Sequence, residues 1–285
     1  MGSGRGSGAA GQRGRSSADS HSSHITSAAV PEVPVPGPVP RFEMPGWRQR
    51  YGVVAGITGR GDGGGRGFDL GLWSREPVGD VMNRWLAFRR ATPEFNAFVL
   101  GNQVHGIEVR EVGPAEGWIQ IQGVDGWVST SPGVMLTITV ADCVPVYLAV
   151  ANRAVALLHA GWRGTAGGIL ERGVEALLAA SGAAERDVAM HCGVGICGDC
   201  YEVGSEVMNG CGVAVDGSGP WHLDLRNVLI EQARRLGLAD VSRSGWCSAH
   251  DRGSFYSHRA SRGQDGRMVA YLGLISPLAS NPHRE

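Results

Sequence analysis

The 285-residue chain contains no lysine; all 26 of its basic residues are arginine. That absence excludes a Schiff-base lysine, pyridoxal-phosphate chemistry and the phosphate-binding lysine of a P-loop. Long apolar runs are also missing. Nothing approaches the length of a bilayer span, and the first thirty residues, mostly Gly, Ser, Ala and Arg, hold no apolar signal-peptide core. Net charge is small, −1 at neutral pH, which removes the global electrostatic case for nucleic acid or an anionic membrane. There is no His-x-His pair. The nine histidines, three of them in the tails (His21, His24 and His283), fall short of the about ten that a four-copper oxidase draws on, so a multicopper centre is rejected.

What is present reads as a globular protein with a tail. Hydrophobic residues make up 42%, enough for a sizeable core. Residues 1–40 are low in complexity, first Gly/Ser/Arg and then proline-rich from Val30 to Pro40. Such a composition predicts a disordered, dispensable N-terminal tail. The remainder divides into one globular domain over 41–277 and a short C-terminal tail over 278–285. The six cysteines are Cys143, Cys192, Cys197, Cys200, Cys211 and Cys247. Nothing marks the chain as secreted, so they read as reduced thiols in a cytoplasm.

Val134–Val140 and Ala154–Leu158 are short apolar runs and read as buried strands. Further strands are expected at Tyr51–Thr58, Ala97–Leu100, Ile107–Val112, Val188–Cys192, Val241–Cys247, Ser254–His258 and Met268–Leu274. Asp80 is a candidate cap for a helix that presents Val81, Trp85 and Phe88 on one face. Thr165 is a candidate N-cap for a helix with a stripe of Ile169, Leu170, Val174, Leu177 and Leu178, closed by Gly182. Its free N–H groups would lie behind Arg163, where they could hold an anion near His159. Asp224 would cap another helix. The mixed order predicts an α/β (α+β) fold, a single layered domain with a mixed β-sheet and packed helices.

Three residues at strand ends carry the chemistry: His105, Cys143 and His159. Taken singly, Cys143 is a small buried hydrophobe and His159 a satisfied core histidine. Taken together they point to function. Two imidazoles and a thiolate are an ordinary zinc set, and three protein ligands leave a fourth position for water. The same residues also fit a cysteine hydrolase, with Cys143 as nucleophile and His159 as base. Cys192, Cys197 and Cys200 form a C-x4-C-x2-C arrangement, a spacing found in plant-type iron–sulfur proteins, with Cys211 or Cys247 as a fourth partner. The expectation is that they bind no such cluster. His191, His222, His250 and His258 read as surface or hydrogen-bonded residues rather than ligands.

Six strings resemble the successive motifs of the YfiH/laccase-domain family. They are Gln103-Val104-His105-Gly106, Ala141-Asp142-Cys143-Val144-Pro145-Val146, His159-Ala160-Gly161-Trp162-Arg163-Gly164, Cys200-Tyr201-Glu202-Val203-Gly204 and Phe255-Tyr256-Ser257-His258-Arg259 with Gly266-Arg267-Met268. The resemblance covers residues from about 50 to 275. It implies a metal site of His105, Cys143 and His159 that holds zinc, with copper possible at the same ligands. It also implies purine nucleoside chemistry: phosphorolysis of adenosine, inosine, guanosine and methylthioadenosine, and deamination of adenosine. Purine nucleosides and inorganic phosphate are then the partners, with no nucleic acid, membrane or protein partner expected. Cys143, Asp142 and His159 become the catalytic candidates, Asp142 as proton shuttle for water attack at C6 of adenine. Arg60, Arg163 and Gln103 become the substrate-binding candidates, the arginines as bidentate phosphate ligands. Some members of this family are tied to peptidoglycan-precursor editing, which gives a further alternative. Two features depart from the family pattern: the glycine-rich loop after Arg60, and Cys197 where glycine is usual.

Overall fold

Along Val144–Val150, alternate residues belong to different cores. Val144, Val146, Leu148 and Val150 pack with helices, whereas Tyr147 and Ala149 pack against another sheet. Side chains of a strand alternate between its faces, so this strand is covered on both. The same split runs through Ala154–Ala160. Val155 and Leu157 face the second sheet; Ala156, Leu158 and Ala160 face the helices.

The computed structural model describes residues 1–2, 28–62, 67–73 and 76–276. In chain order the strands are β1 (Ala28–Ala29), β2 (Val33–Val35), β3 (Arg41–Glu43), β4 (Val53–Thr58), β5 (Ala97–Asn102), β6 (Val109–Glu111), β7 (Gly117–Gln122) and β8 (Gly126–Ser129). They continue as β9 (Val134–Val140), β10 (Val144–Val150), β11 (Ala154–Ala160), β12 (Val188–Cys192), β13 (Glu202–Val203), β14 (Trp221–His222), β15 (Asp240–Arg243) and β16 (Met268–Leu274). The helices are α1 (Trp47–Tyr51), α2 (Val78–Arg90), α3 (Trp162–Gly167), α4 (Ile169–Ser181), α5 (Ser205–Gly210) and α6 (Leu225–Arg235).

Two seven-stranded mixed sheets result, ordered β1-β15-β12-β10-β11-β8-β6 and β2-β3-β4-β16-β9-β5-β7. Their facing sides share a core of Ile57, Val99, Trp127, Leu136, Ile138, Tyr147, Leu157 and Leu272. Helices α3 to α6 cover the outer face of the first sheet, and α2 covers the second through Trp85 and Phe88. The fold is therefore mixed α/β in four layers, with two sheets where the sequence suggested one. No helix of the described residues is long and apolar enough to cross a membrane.

Local expectations are corrected in four places. Residues 28–40 do not behave as a tail. Val33–Val35 pairs with Arg41–Glu43 at a sheet edge, the position where a strand tolerates proline, and Val39 and Glu32 are buried. Residues 3–27 and the end of the chain from 277 lie outside the described residues, as do 63–66 of the glycine run. The strand expected from Tyr51 begins only at Val53, because Tyr51 closes a short helix, α1. Ser254–His258 forms turns rather than a strand. The helix after His159 starts at Trp162, not Thr165, and breaks at Gly168, whose φ of 89° interrupts it before α4. The caps at Asp224 and Gly182 are observed.

Candidate metal centre

The chain changes sheets at three connections that meet at one end of the sandwich. The β5–β6 connection carries His105, and the three-residue β9–β10 connection carries Cys143. The long β15–β16 connection returns through Ser248, Ser257 and Arg259. His159 lies within β11, not beyond it, and by alternation shares the inward face with Val155 and Leu157. One ligand atom from each of His105, Cys143 and His159 falls within 4.8 Å of the others. The two imidazole rings meet edge to face, 4.8 Å between centroids. Gly161 leaves room for them. A Cβ there would lie 3.1 Å from Cys143 Sγ and 3.0 Å from His105 Cδ2.

Two non-glycine residues at this end have left-handed backbone, His105 with φ 60° and Asp142 with φ 83°. Such conformations persist only when their surroundings over-determine them. Asp125, fully buried just before β8, does this for the first. Its carboxylate accepts the backbone N–H groups of Val104, His105 and Gly106 at 2.8–3.1 Å. Its Oδ1 also lies 2.8 Å from His159 Nδ1. That pairing places the Nδ1 proton toward Asp125 and leaves Nε2 for a metal, the arrangement metal-binding histidines commonly use. Burial alone would raise the Asp125 carboxyl; His159 and the amides of Gly106 and Val104 reverse this and hold it below its usual value.

Asp142 is fixed in the same manner. Its Oδ1 accepts the Ser248 and Ser257 hydroxyls, each at 2.7 Å, and its Oδ2 accepts Arg259 N–H at 2.6 Å. Between these braced turns the Cys143 thiol is unusually acidic. Burial opposes ionisation, but His159 and His105 prevail and bring it down to about 6. Burial would likewise keep His159 neutral, yet Cys143 and Asp125 lift it to about 9. Thiolate and imidazolium stabilise each other, and a divalent cation can take the place of the shared proton.

The substrate-binding candidates are placed less uniformly. Arg60 pairs with Asp265 at 2.6 Å and stacks on Tyr256, so its guanidinium braces a loop. Gln103 spends both ends of its amide on Thr139, fixing β5 to β9 ahead of His105. Arg163 is exposed and stacks on Trp162, 4.5 Å from the ring centroid. Arg259, Tyr201 and Asp125 had no assigned role in the sequence. Arg259 stacks over Tyr201 at 5.1 Å, and Tyr201 is close enough to Cys143 to feel its charge. Burial and then the Cys143 thiolate push the Tyr201 phenol up to about 12.

Two facing mixed sheets, with His105, Cys143 and His159 gathered at the crossover end as a group that could hold a metal ion, define an α/β protein. Residues 54–275 match the family model described as multi-copper polyphenol oxidoreductase laccase. The purine nucleoside phosphorylase of Deinococcus radiodurans is 39% identical over 61% of this chain and 68% of its own length. Adenosine deaminase RL5, from an unknown prokaryotic organism, is 31% identical over 76% and 92%. The crystal structure of YlmD from Geobacillus stearothermophilus superposes with a TM-score of 0.76 at 28% identity, covering 86% of this chain and 100% of that one. The chain belongs to this laccase-like domain family.

Proposed function

We propose that the chain is a zinc-dependent purine nucleoside enzyme. The reactions proposed are phosphorolysis of adenosine, inosine, guanosine and methylthioadenosine, and deamination of adenosine. The observation that carries this reading is the convergence of His105, Cys143 and His159 from three separate segments, with Asp125 behind His159. The donor set of one thiolate and two imidazoles fits zinc, and copper is an alternative occupant. Held by His105, Cys143 and His159, such a metal would supply Lewis-acid polarisation and the activation of water.

The remaining steps belong to the protein. Asp125 holds the His159 tautomer and the His105 turn. Asp142 has one lone-pair position left on Oδ2 after its three donors are counted, and takes up the proton there. Arg163 and Arg259 are the cations proposed to hold phosphate beneath the ribose, in place of Arg60. The relatives' names, which cover both phosphorolysis and deamination, support a site able to do either. The test is product analysis of metal-loaded protein with a purine nucleoside panel, with and without phosphate. Free base only when phosphate is present, and inosine from adenosine without it, are expected. No product under either condition sinks the reading.

The linked Asp125, His159 and Cys143 also favour a second reading, a cysteine hydrolase. It requires that metal-free protein keep full activity and lose it when Cys143 is alkylated.

A further inference from the structure

We propose a second metal site in this chain, a closed tetrahedral zinc centre made by Cys197, Cys200, Cys247 and His250. One ligand atom from each lies within 4.8 Å of the others. The Cys197 thiol is 3.5 Å from His250 Nδ1, and the Cys200 thiol 3.2 Å from Nε2. The four residues form two pairs of equal spacing, Cys197-x-x-Cys200 and Cys247-x-x-His250. Each pair lies on a tight turn, the first across the 3-10 turn Gly198–Cys200 and the second in the loop after β15. Two such knuckles brought face to face are how structural zinc sites are commonly assembled, and Cys3His is one of their ordinary donor sets.

The surroundings suit metal-bound sulfur. Cys197 N–H donates to Cys247 Sγ at 3.3 Å, and Asp251 accepts Cys247 N–H at 2.8 Å, which fixes the turn. The guanidinium of Arg226, bonded to Trp246 O at 3.0 Å, lies within electrostatic reach of Cys197 and Cys247. A zinc with three thiolates carries net negative charge, and Arg226 faces it while also paired with Asp224 through two bonds of 3.0 Å. Cys192, the third cysteine of the C-x4-C-x2-C spacing, does not join. It lies on β12 with its side chain in the core beneath the helices. His250, expected as a surface residue, takes the fourth place.

A tetrahedral zinc with Zn–S of about 2.3 Å and Zn–N of about 2.0–2.1 Å sets its donors roughly 3.5–3.8 Å apart, so the cluster need contract by only about 1 Å at its widest. Four protein ligands leave no open position, so the site binds no substrate. It joins the loop after β12 to the loop after β15. The first loop continues into Tyr201, and the second contains Ser248, the donor to Asp142. The centre therefore holds in register two loops that brace the first site.

The experiment is elemental analysis of the full chain, expressed with zinc and purified under reductant without chelator. Two zinc per chain are expected in the wild type and one in each of Cys143→Ser and Cys247→Ser. In Cys143→Ser, X-ray absorption should show about three sulfurs and one nitrogen around the remaining zinc. One zinc in the wild type and none in Cys143→Ser would overturn the proposal. So would iron with acid-labile sulfide in place of the second zinc. Should Cys247→Ser fail to fold, the exposed His250→Ala is the second variant. Its second zinc should be extracted by a dilute chelator at least tenfold faster than in the wild type, and an unchanged rate counts against the site.

Discussion

The two clusters use the same kinds of donor, but the chain builds them in opposite ways. His105, Cys143 and His159 come from three distant segments, two of them on connections between sheets, and Asp125 orients one from behind. Cys197, Cys200, Cys247 and His250 come as two short-range pairs on neighbouring loops. Three ligands on a rigid frame leave room for a substrate; four on paired turns close the coordination shell and leave only a fastening. The ionisation of the thiols follows this division. Cys143 is drawn down to about 6 by two imidazoles, whereas Cys200 is pushed up to about 12 by burial and by its neighbours Cys197 and Cys247. At the first cluster opposite charges already face each other, whereas at the second Cys200 stays a neutral thiol until a cation displaces its proton.

The largest expected effect comes from removing a ligand of the first cluster. Cys143→Ser or His159→Ala should abolish turnover, by about a thousandfold or more, since several kcal/mol of charge stabilisation goes with the metal. Circular dichroism should show the fold retained. Activity near wild type in a metal-free variant would erase the distinction between the sites. Asp125→Asn comes next, with a loss of roughly 10–100-fold in metal affinity or rate, measured by metal titration and steady-state kinetics.

Chain truncation sharpens the contrast from the other side. Glu32 accepts the Ser244 hydroxyl at 2.6 Å, approaches His191, and takes the Trp246 indole N–H on its backbone carbonyl. These partners lead directly into Cys247. A chain beginning at Phe42 should lose about 3 kcal/mol, a fall in Tm of roughly 6–12 °C, and should loosen the second cluster before the first. A chain beginning at residue 28 should melt like the whole protein. In metal-stripped protein the alkylation rate of Cys143 should rise through a midpoint near pH 6, because the thiolate is the reacting form and its pKa is lowered; Cys192, Cys197, Cys200 and Cys211, whose thiols burial pushes up, should lag at that pH. Mass spectrometry of the alkylated peptides checks the order. Ser248→Ala should have the smallest effect, about 1 kcal/mol and less than tenfold in rate, since two other donors still hold Asp142.

Much of this was legible in the residues. Val134–Val140 and Met268–Leu274 announce themselves because strands buried on both faces are continuous apolar runs. Cys143 and His159 stood out as reactive side chains beside such runs. Asp125 did not, because a buried carboxylate followed by glycine reads like an ordinary turn; only folding shows three amides and an imidazole pointing at it. The second cluster stayed hidden because its two pairs are far apart in sequence, and the nearby Cys192 offered a competing local spacing. Residues 28–40 misled for another reason. Proline content argues against order when averaged over a window, yet one proline fits an edge strand whose neighbours on either side are pinned.

The crossovers also bear on when the first centre can exist during folding. His105 and Cys143 leave the sheet of Ala97–Asn102 and Val134–Val140, while His159 belongs to the other sheet. Neither sheet alone can gather the three, so a half-folded chain has no preformed cradle for the ion. Capture of a metal ion there would have to follow docking of the two sheets, one of the non-local and therefore late events of folding. Metal occupancy at this position, under the proposed reading, would thus report that the whole sandwich has closed.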